Sequence, residues 1–153
     1  MLEEEIVKKL LEKSYTITTA ESCTGGLLAG RILNVPGASA VYNEGHITYS
    51  NEAKERLLKV SHETLLQYGA VSRQTAEEMA YGAAQAAKAD VGLSTTGIAG
   101  PGGGTKEKPV GLIYVGCHVE GKTYTKECHF YGTREENRAA AVEAALGLLL
   151  EYL

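Results

Sequence analysis

Tryptophan is absent and phenylalanine occurs once, beside nine tyrosines. A core for this chain must therefore come from Leu, Val, Ile and Ala, with 18 glycines allowing many close backbone approaches. Cysteine occurs only as Cys23, Cys117 and Cys128, an odd count with no CxxC pair. Reduced thiols in a cytoplasmic protein are the state this pattern predicts. No run approaches the ~20 apolar residues of a membrane span. The opening MLEEEIVKKLLEK reads as an amphipathic helix and not as a signal peptide. A basic excess is also missing: the net charge of −4 argues against broad affinity for nucleic acid, which needs clustered Lys and Arg. A small anionic ligand held by a few donors stays compatible with it.

What is present fits one domain over residues 1–153, burying ~70% of its unfolded surface. Leu2, Ile6 and Leu10, with Val7 and Leu11 beside them, give a first helix over 2–12. A short strand is expected at 15–19, then a helix over 24–33 stopped by Asn34 and Pro36-Gly37. Residues 41–49 read as one long strand. Ser50 or Asn51, Ser61 and Ser72 are helix caps, the last opening an Ala-rich helix through Lys88. Strands follow at 90–95 and 110–119, separated by the long loop 97–109. Glu120-Gly121 turns the second of these into 122–130 as a β-hairpin, and a long helix starts at Arg134. The order predicts a layered α/β domain: a mixed sheet with an antiparallel hairpin, helices on both faces. The Leu-rich tail and the Ala-rich helix exceed what one small core needs, which predicts self-association, as a homo-oligomer and specifically a dimer.

Two strand-to-helix junctions carry the chemistry. The first is TAESCTGG at 19–26, which puts Glu21, Ser22 and Thr24 where a helix must begin. One cap suffices for one helix, yet hydroxyls, a thiol and the glycines Gly25 and Gly26 crowd this turn. Ser22 is the candidate nucleophile, with backbone N–H groups of residues 23–25 and the helix dipole available to an oxyanion. Cys23 competes, since a helix N-terminus lowers a thiol pKa. A catalytic cysteine wants a histidine base, however, and no spacing nominates one of the four histidines. The second junction, ITYSNEAK at 47–54, contributes Tyr49 and Lys54. Lysine is a poor base until it is desolvated or placed near another positive charge, such as Arg138. Without the Ser22 cluster, Tyr49 and Lys54 would read as a half-buried strand residue and a surface helix residue.

The glycine-rich stretch 97–105 fails both nucleotide fingerprints. Thr105 stands where a P-loop needs lysine, and Pro109 interrupts the helix a dinucleotide motif requires. What remains is a backbone able to approach an anion closely, through Gly102, Gly103 and Thr105. No metal is expected. With a turn at Glu120-Gly121, His129 lies opposite Leu112, six positions from His118 and about 20 Å away at ~3.3 Å per residue.

In order, TAESCTGG, VPGASAVY, ITYSNEAK, GAVS, TTGIAGPGGG and EKPVG resemble the C-terminal domain of the CinA family over about residues 4–153. The resemblance implies a three-layer α/β/α fold and hydrolysis of nicotinamide mononucleotide to nicotinate mononucleotide and ammonia, in pyridine-nucleotide salvage and without metal or cofactor. It also implies a stand-alone deamidase, without the N-terminal nucleotide-hydrolase domain of full-length members. By motif, Ser22 matches the nucleophile and Tyr49 and Lys54 the catalytic pair. Glu21, Cys23, Thr24 and Gly25 surround the nucleophile, and Thr96 and Gly97 match a substrate-contacting segment. Arg138 looks like the basic residue facing the site from the last helix, with Arg134 a second candidate. His46 departs from the pattern and is expected to point opposite to Tyr49. The alternatives are a non-catalytic pyridine-nucleotide-binding or regulatory module, and a phosphatase or pyrophosphatase, against which the lack of paired carboxylates speaks.

Overall fold

The computed structural model describes all residues, 1–153. Its sheet consists of β1 (Ile17–Glu21), β2 (His46–Ile47), β3 (Val91–Gly97), β4 (Leu112–Val119) and β5 (Lys122–His129), in the order β2-β1-β3-β4-β5. β1 pairs parallel with β2 and β3, whereas β3–β4 and β4–β5 are antiparallel. The sheet is therefore mixed, as the sequence predicts. The hairpin register is also as expected, with Leu112 opposite His129 across a turn in which Glu120 and Gly121 both take positive φ.

Helices cover both faces. On one lie α1 (Leu2–Lys13), α2 (Leu27–Leu33) and α6 (Arg134–Tyr152). Ile6, Leu10, Leu28, Ile32, Leu146 and Leu149 join Ile17, Leu93, Ile113 and Val115 there in the main core. Arg31 of α2 ties this layer together by bonding Glu3 of α1 and Glu143 of α6. On the other face lie α3 (Asn51–Leu58), α4 (His62–Tyr68) and α5 (Arg73–Ala87), with a smaller core of Ala20, Leu58, Val60, Leu65, Met79 and Ala83. The small residues of α5 let its backbone rest on the sheet. A Cβ at Gly92 or Gly116 would fall 2.2 Å from Ala80 O or 2.6 Å from Ala76 O. The Leu-rich tail and Ala-rich helix thus spend most of their apolar surface inside the chain's own core.

The first strand runs two residues later than expected, at Ile17–Glu21, and two further elements differ more. Residues 41–49 do not form one strand. A 3-10 turn at Ala38–Ala40 and a single bridge from Tyr42 to Ile17 precede β2, which keeps only two residues. Side chains replace the ladder here: Tyr42 OH bonds Thr19 Oγ1 at 2.8 Å and Thr18 Oγ1 donates to Glu44 O at 2.8 Å. The second helix begins at Leu27 and not at residue 24. Gly25 (φ 57) and Gly26 (φ 111) are left-handed, so the chain makes a separate turn before the helix can start. No helix is long and apolar enough to cross a membrane.

Candidate active site

β1 and β3 end side by side, and both chain segments leaving them bend over the same edge. Glu21 is the last residue of β1 and is fully enclosed. Its carboxylate accepts from Leu28 N (2.8 Å), Ala29 N (3.0 Å) and Thr24 Oγ1 (2.5 Å). Glu21 is thus the cap of α2, reached from the preceding strand, and it neutralises the positive end of that helix. Thr24 is buried beneath the turn, between Glu21 and Thr95 Oγ1 (2.8 Å). Neither Glu21 nor Thr24 offers its side chain to the cavity, and the dipole of α2 serves the carboxylate and not an oxyanion.

Ser22 therefore caps nothing. Its N–H is held by Thr95 O at 3.0 Å, continuing the β1–β3 pairing for one residue, and its Oγ meets Lys54 Nζ at 3.1 Å. Lys54 lies in α3, whose start is set by the Ser50 side chain accepting from Ala53 N. At 1% exposure, Lys54 is among the largest fully buried side chains. Its Nζ also donates to Thr48 O (2.8 Å) and Tyr49 O (3.3 Å), and no carboxylate pairs with it. Burial without a counter-ion lowers its pKa to about 8.

This cage has a chemical consequence. The two carbonyls can only accept, so they claim the two N–H bonds of a neutral amine. Of the three partners only the Ser22 hydroxyl can donate, and the remaining lone pair faces it. Neutral Lys54 is thereby placed to receive the Ser22 proton. Cys23 lacks such activation, because burial pushes its thiol up to about 11.

Ser22, Cys23, Tyr49, Arg134, Gly97, Ile98, Ala99, Gly100, Gly102 and Gly103 line an open cavity of about 280 Å³. Tyr49 reaches it differently from the sequence expectation. Its hydroxyl points to solvent and accepts from Arg134 Nη2 at 3.3 Å, while only its backbone carbonyl touches Lys54. Arg134 also donates to Gly100 O at 2.8 Å, spanning the cavity mouth. Arg138 lies behind the Ser22 turn, donating to Cys23 O (2.9 Å) and Thr24 O (3.1 Å).

Of the strand-end pair, Thr96 faces away and donates to Ala70 O at 2.8 Å, whereas Thr95 faces the Ser22 turn. Alternation along β3 separates the two. Gly97, Gly102 and Gly103 line the cavity, but Thr105 closes its own loop turn by accepting from Lys108 N at 3.0 Å. Asn137 is a residue the sequence reading missed. It is buried and donates to Ala99 O (3.0 Å), pinning the glycine loop to α6. No spacing in the sequence marks it.

The chain matches the model of the CinA C-terminal domain over residues 1–153, and it belongs to that family. A Clostridium novyi (strain NT) relative bearing the provisional name competence-damage inducible protein is 59% identical over 152 residues. Those residues are 99% of this chain but 37% of that relative, so the chain spans little more than a third of its length. Among solved structures, a CinA superfamily protein from Escherichia coli superposes with TM-score 0.96 at 39% identity, covering 99% of this chain and 88% of that one. A competence/damage inducible protein from Agrobacterium tumefaciens gives 0.94 at 44% identity, covering 98% and 92%.

Proposed function

We propose that this chain is a nicotinamide-nucleotide amidase that hydrolyses nicotinamide mononucleotide to nicotinate mononucleotide and ammonia. The observation that carries the reading is Lys54 Nζ, buried without a counter-ion, 3.1 Å from Ser22 Oγ. A lysine held in that way is unfavourable for folding, and beside a hydroxyl it is suited to act as a base.

Neutral Lys54 takes the Ser22 proton as Oγ attacks the carboxamide carbon. The C=O electrons move onto oxygen, and free N–H groups of the Ser22 turn donate hydrogen bonds to the oxyanion so formed. Collapse breaks the C–N bond, Lys54 returns the proton to the departing nitrogen, and ammonia leaves an acyl-serine. Water, deprotonated by the same amine, attacks the ester and releases the carboxylate and Ser22. The pyridinium ring suits this site twice. It withdraws electrons from the amide, and its positive charge favours the neutral form of Lys54. Arg134 at the cavity mouth, together with the glycine loop, supplies donors for the phosphate.

The test is ammonia release from nicotinamide mononucleotide with EDTA present, for wild type, Ser22→Ala and Lys54→Ala. Release by wild type alone supports the amidase. Nucleotide binding by calorimetry without any ammonia release would replace it with the binding-module reading.

A further inference from the structure

Arg138 is the one arginine of the site that reaches neither the cavity nor an acid. Its guanidinium donates from Nε to Cys23 O (2.9 Å) and from Nη2 to Thr24 O (3.1 Å), two successive carbonyls of the turn that follows Ser22. The cavity beside Ser22 is lined by Ser22, Cys23 and Arg134, but not by Arg138. The turn is shaped to accept the guanidinium. Gly25 is left-handed (φ 57), and a Cβ there would already lie 3.4 Å from Arg138 Nη2.

Peptide planarity converts this grip into an orientation. In a trans peptide the carbonyl of one residue and the N–H of the next point opposite ways. Holding Cys23 O toward α6 therefore turns Thr24 N–H away from α6. Holding Thr24 O does the same for Gly25 N–H, which closes the turn on Ser22 O at 3.2 Å. The N–H groups of Cys23 and Thr24 donate to no other residue, while Ser22 N–H is used by Thr95 O. The α2 dipole is already taken by Glu21. The free donors of the turn are thus Cys23 N–H and Thr24 N–H; Arg138 sets the second through Cys23 O and braces the turn that carries both.

We infer that Arg138 is a positioning residue: it holds the backbone donors of the Ser22 turn toward the developing oxyanion, and it is not a ligand of the substrate's phosphate. The inference rests on the serine-amidase reading of this site. Its charge, placed behind the peptide dipoles, also strengthens the N–H groups as donors without occupying the cavity.

The experiment uses the full chain and Arg138→Lys and Arg138→Met, with folding checked by circular dichroism and thermal unfolding. Two rates are read: ammonia release from nicotinamide mononucleotide, and labelling of Ser22 by a fluorophosphonate followed by mass spectrometry. The phosphonyl oxygen needs the same donors but carries no nucleotide phosphate. Arg138→Met is expected to slow both by on the order of 10²–10³-fold. KM and the affinity for nicotinate mononucleotide should stay within about threefold, and Arg138→Lys should recover part of the rate. The pH midpoint of labelling should not move, because the Lys54 cage is untouched. A general loosening of the turn would shift it upward and overturn the inference.

A labelling rate within threefold of wild type in folded Arg138→Met also overturns it, as does a large rise in KM with unchanged kcat. Wild type that labels in an Arg138-dependent way but releases no ammonia would sink the nicotinamide substrate while leaving the role of Arg138 standing. Wild type that neither labels nor turns over would overturn both.

Discussion

Lys54 Nζ and Ser22 Oγ lie 3.1 Å apart, and the other two groups within reach of the amine are the carbonyls of Thr48 and Tyr49. The chain thus buries an amine among acceptors and gives it one partner able to lose a proton. That arrangement links a folding cost to a chemical use.

The first consequence is a pH profile. An amine acts as base only when neutral, and burial lowers Lys54 to about 8. The value of kcat/KM is expected to rise with pH through one ionisation near 8 and then level off. A profile that is flat from pH 6 to 10, or that falls, would remove Lys54 as the base.

The second concerns stability. With a folded pKa near 8 and an ordinary value of 10.5, the unfolded chain holds more protons between those limits. Stability therefore climbs with pH across that window, and the penalty is full below pH 8. Lys54→Met has no such slope. Its stability relative to wild type should decline by roughly 3 kcal/mol between pH 7 and pH 10.5, read by denaturant unfolding. A pH-independent difference would mean that Lys54 is not depressed in the folded protein.

Glu21→Gln tests the cap. An amide can accept at one oxygen only, so its NH₂ would face the N–H of Leu28 or Ala29. A loss of about 2 kcal/mol is expected from one buried donor left unpaired. A change below about 0.5 kcal/mol in urea unfolding would contradict the capping role.

Arg134→Met separates binding from chemistry. Loss of a charge-assisted bond to phosphate should raise KM for nicotinamide mononucleotide about 10- to 100-fold. Turnover of nicotinamide riboside, which has no phosphate, should respond far less. Equal effects on both substrates would deny Arg134 the phosphate. Tyr49→Phe, which removes the hydroxyl partner of Arg134, should raise KM while leaving the midpoint near pH 8 in place, since that hydroxyl does not touch Lys54.

Much of the architecture was legible because it follows from local pattern. The Ser72 cap, the Glu120-Gly121 turn and the hairpin register depend on residues close in sequence. So did the nomination of Ser22 and Lys54, because each sits where a strand gives way to a helix. The break within residues 41–49 is not legible, because a strand pattern does not reveal that Thr18 and Thr19 supply side-chain partners to the facing segment. The start of α2 is not legible either, because Ser22 and Thr24 look like caps, while the capping side chain is Glu21.

The sequence by itself determined which chemical groups are available and that they stand at strand ends, since periodicity and turn chemistry are short-range. The tertiary structure alone decided what each group does. β1 and β3 had to pair before Thr95 could take the Ser22 N–H. α3 had to pack down before Lys54 lost its water. α6 had to return across the sheet before Arg134 could reach Tyr49 and Arg138 the back of the turn. Desolvation and contact between residues more than 80 positions apart are properties of packing, and no local pattern encodes them.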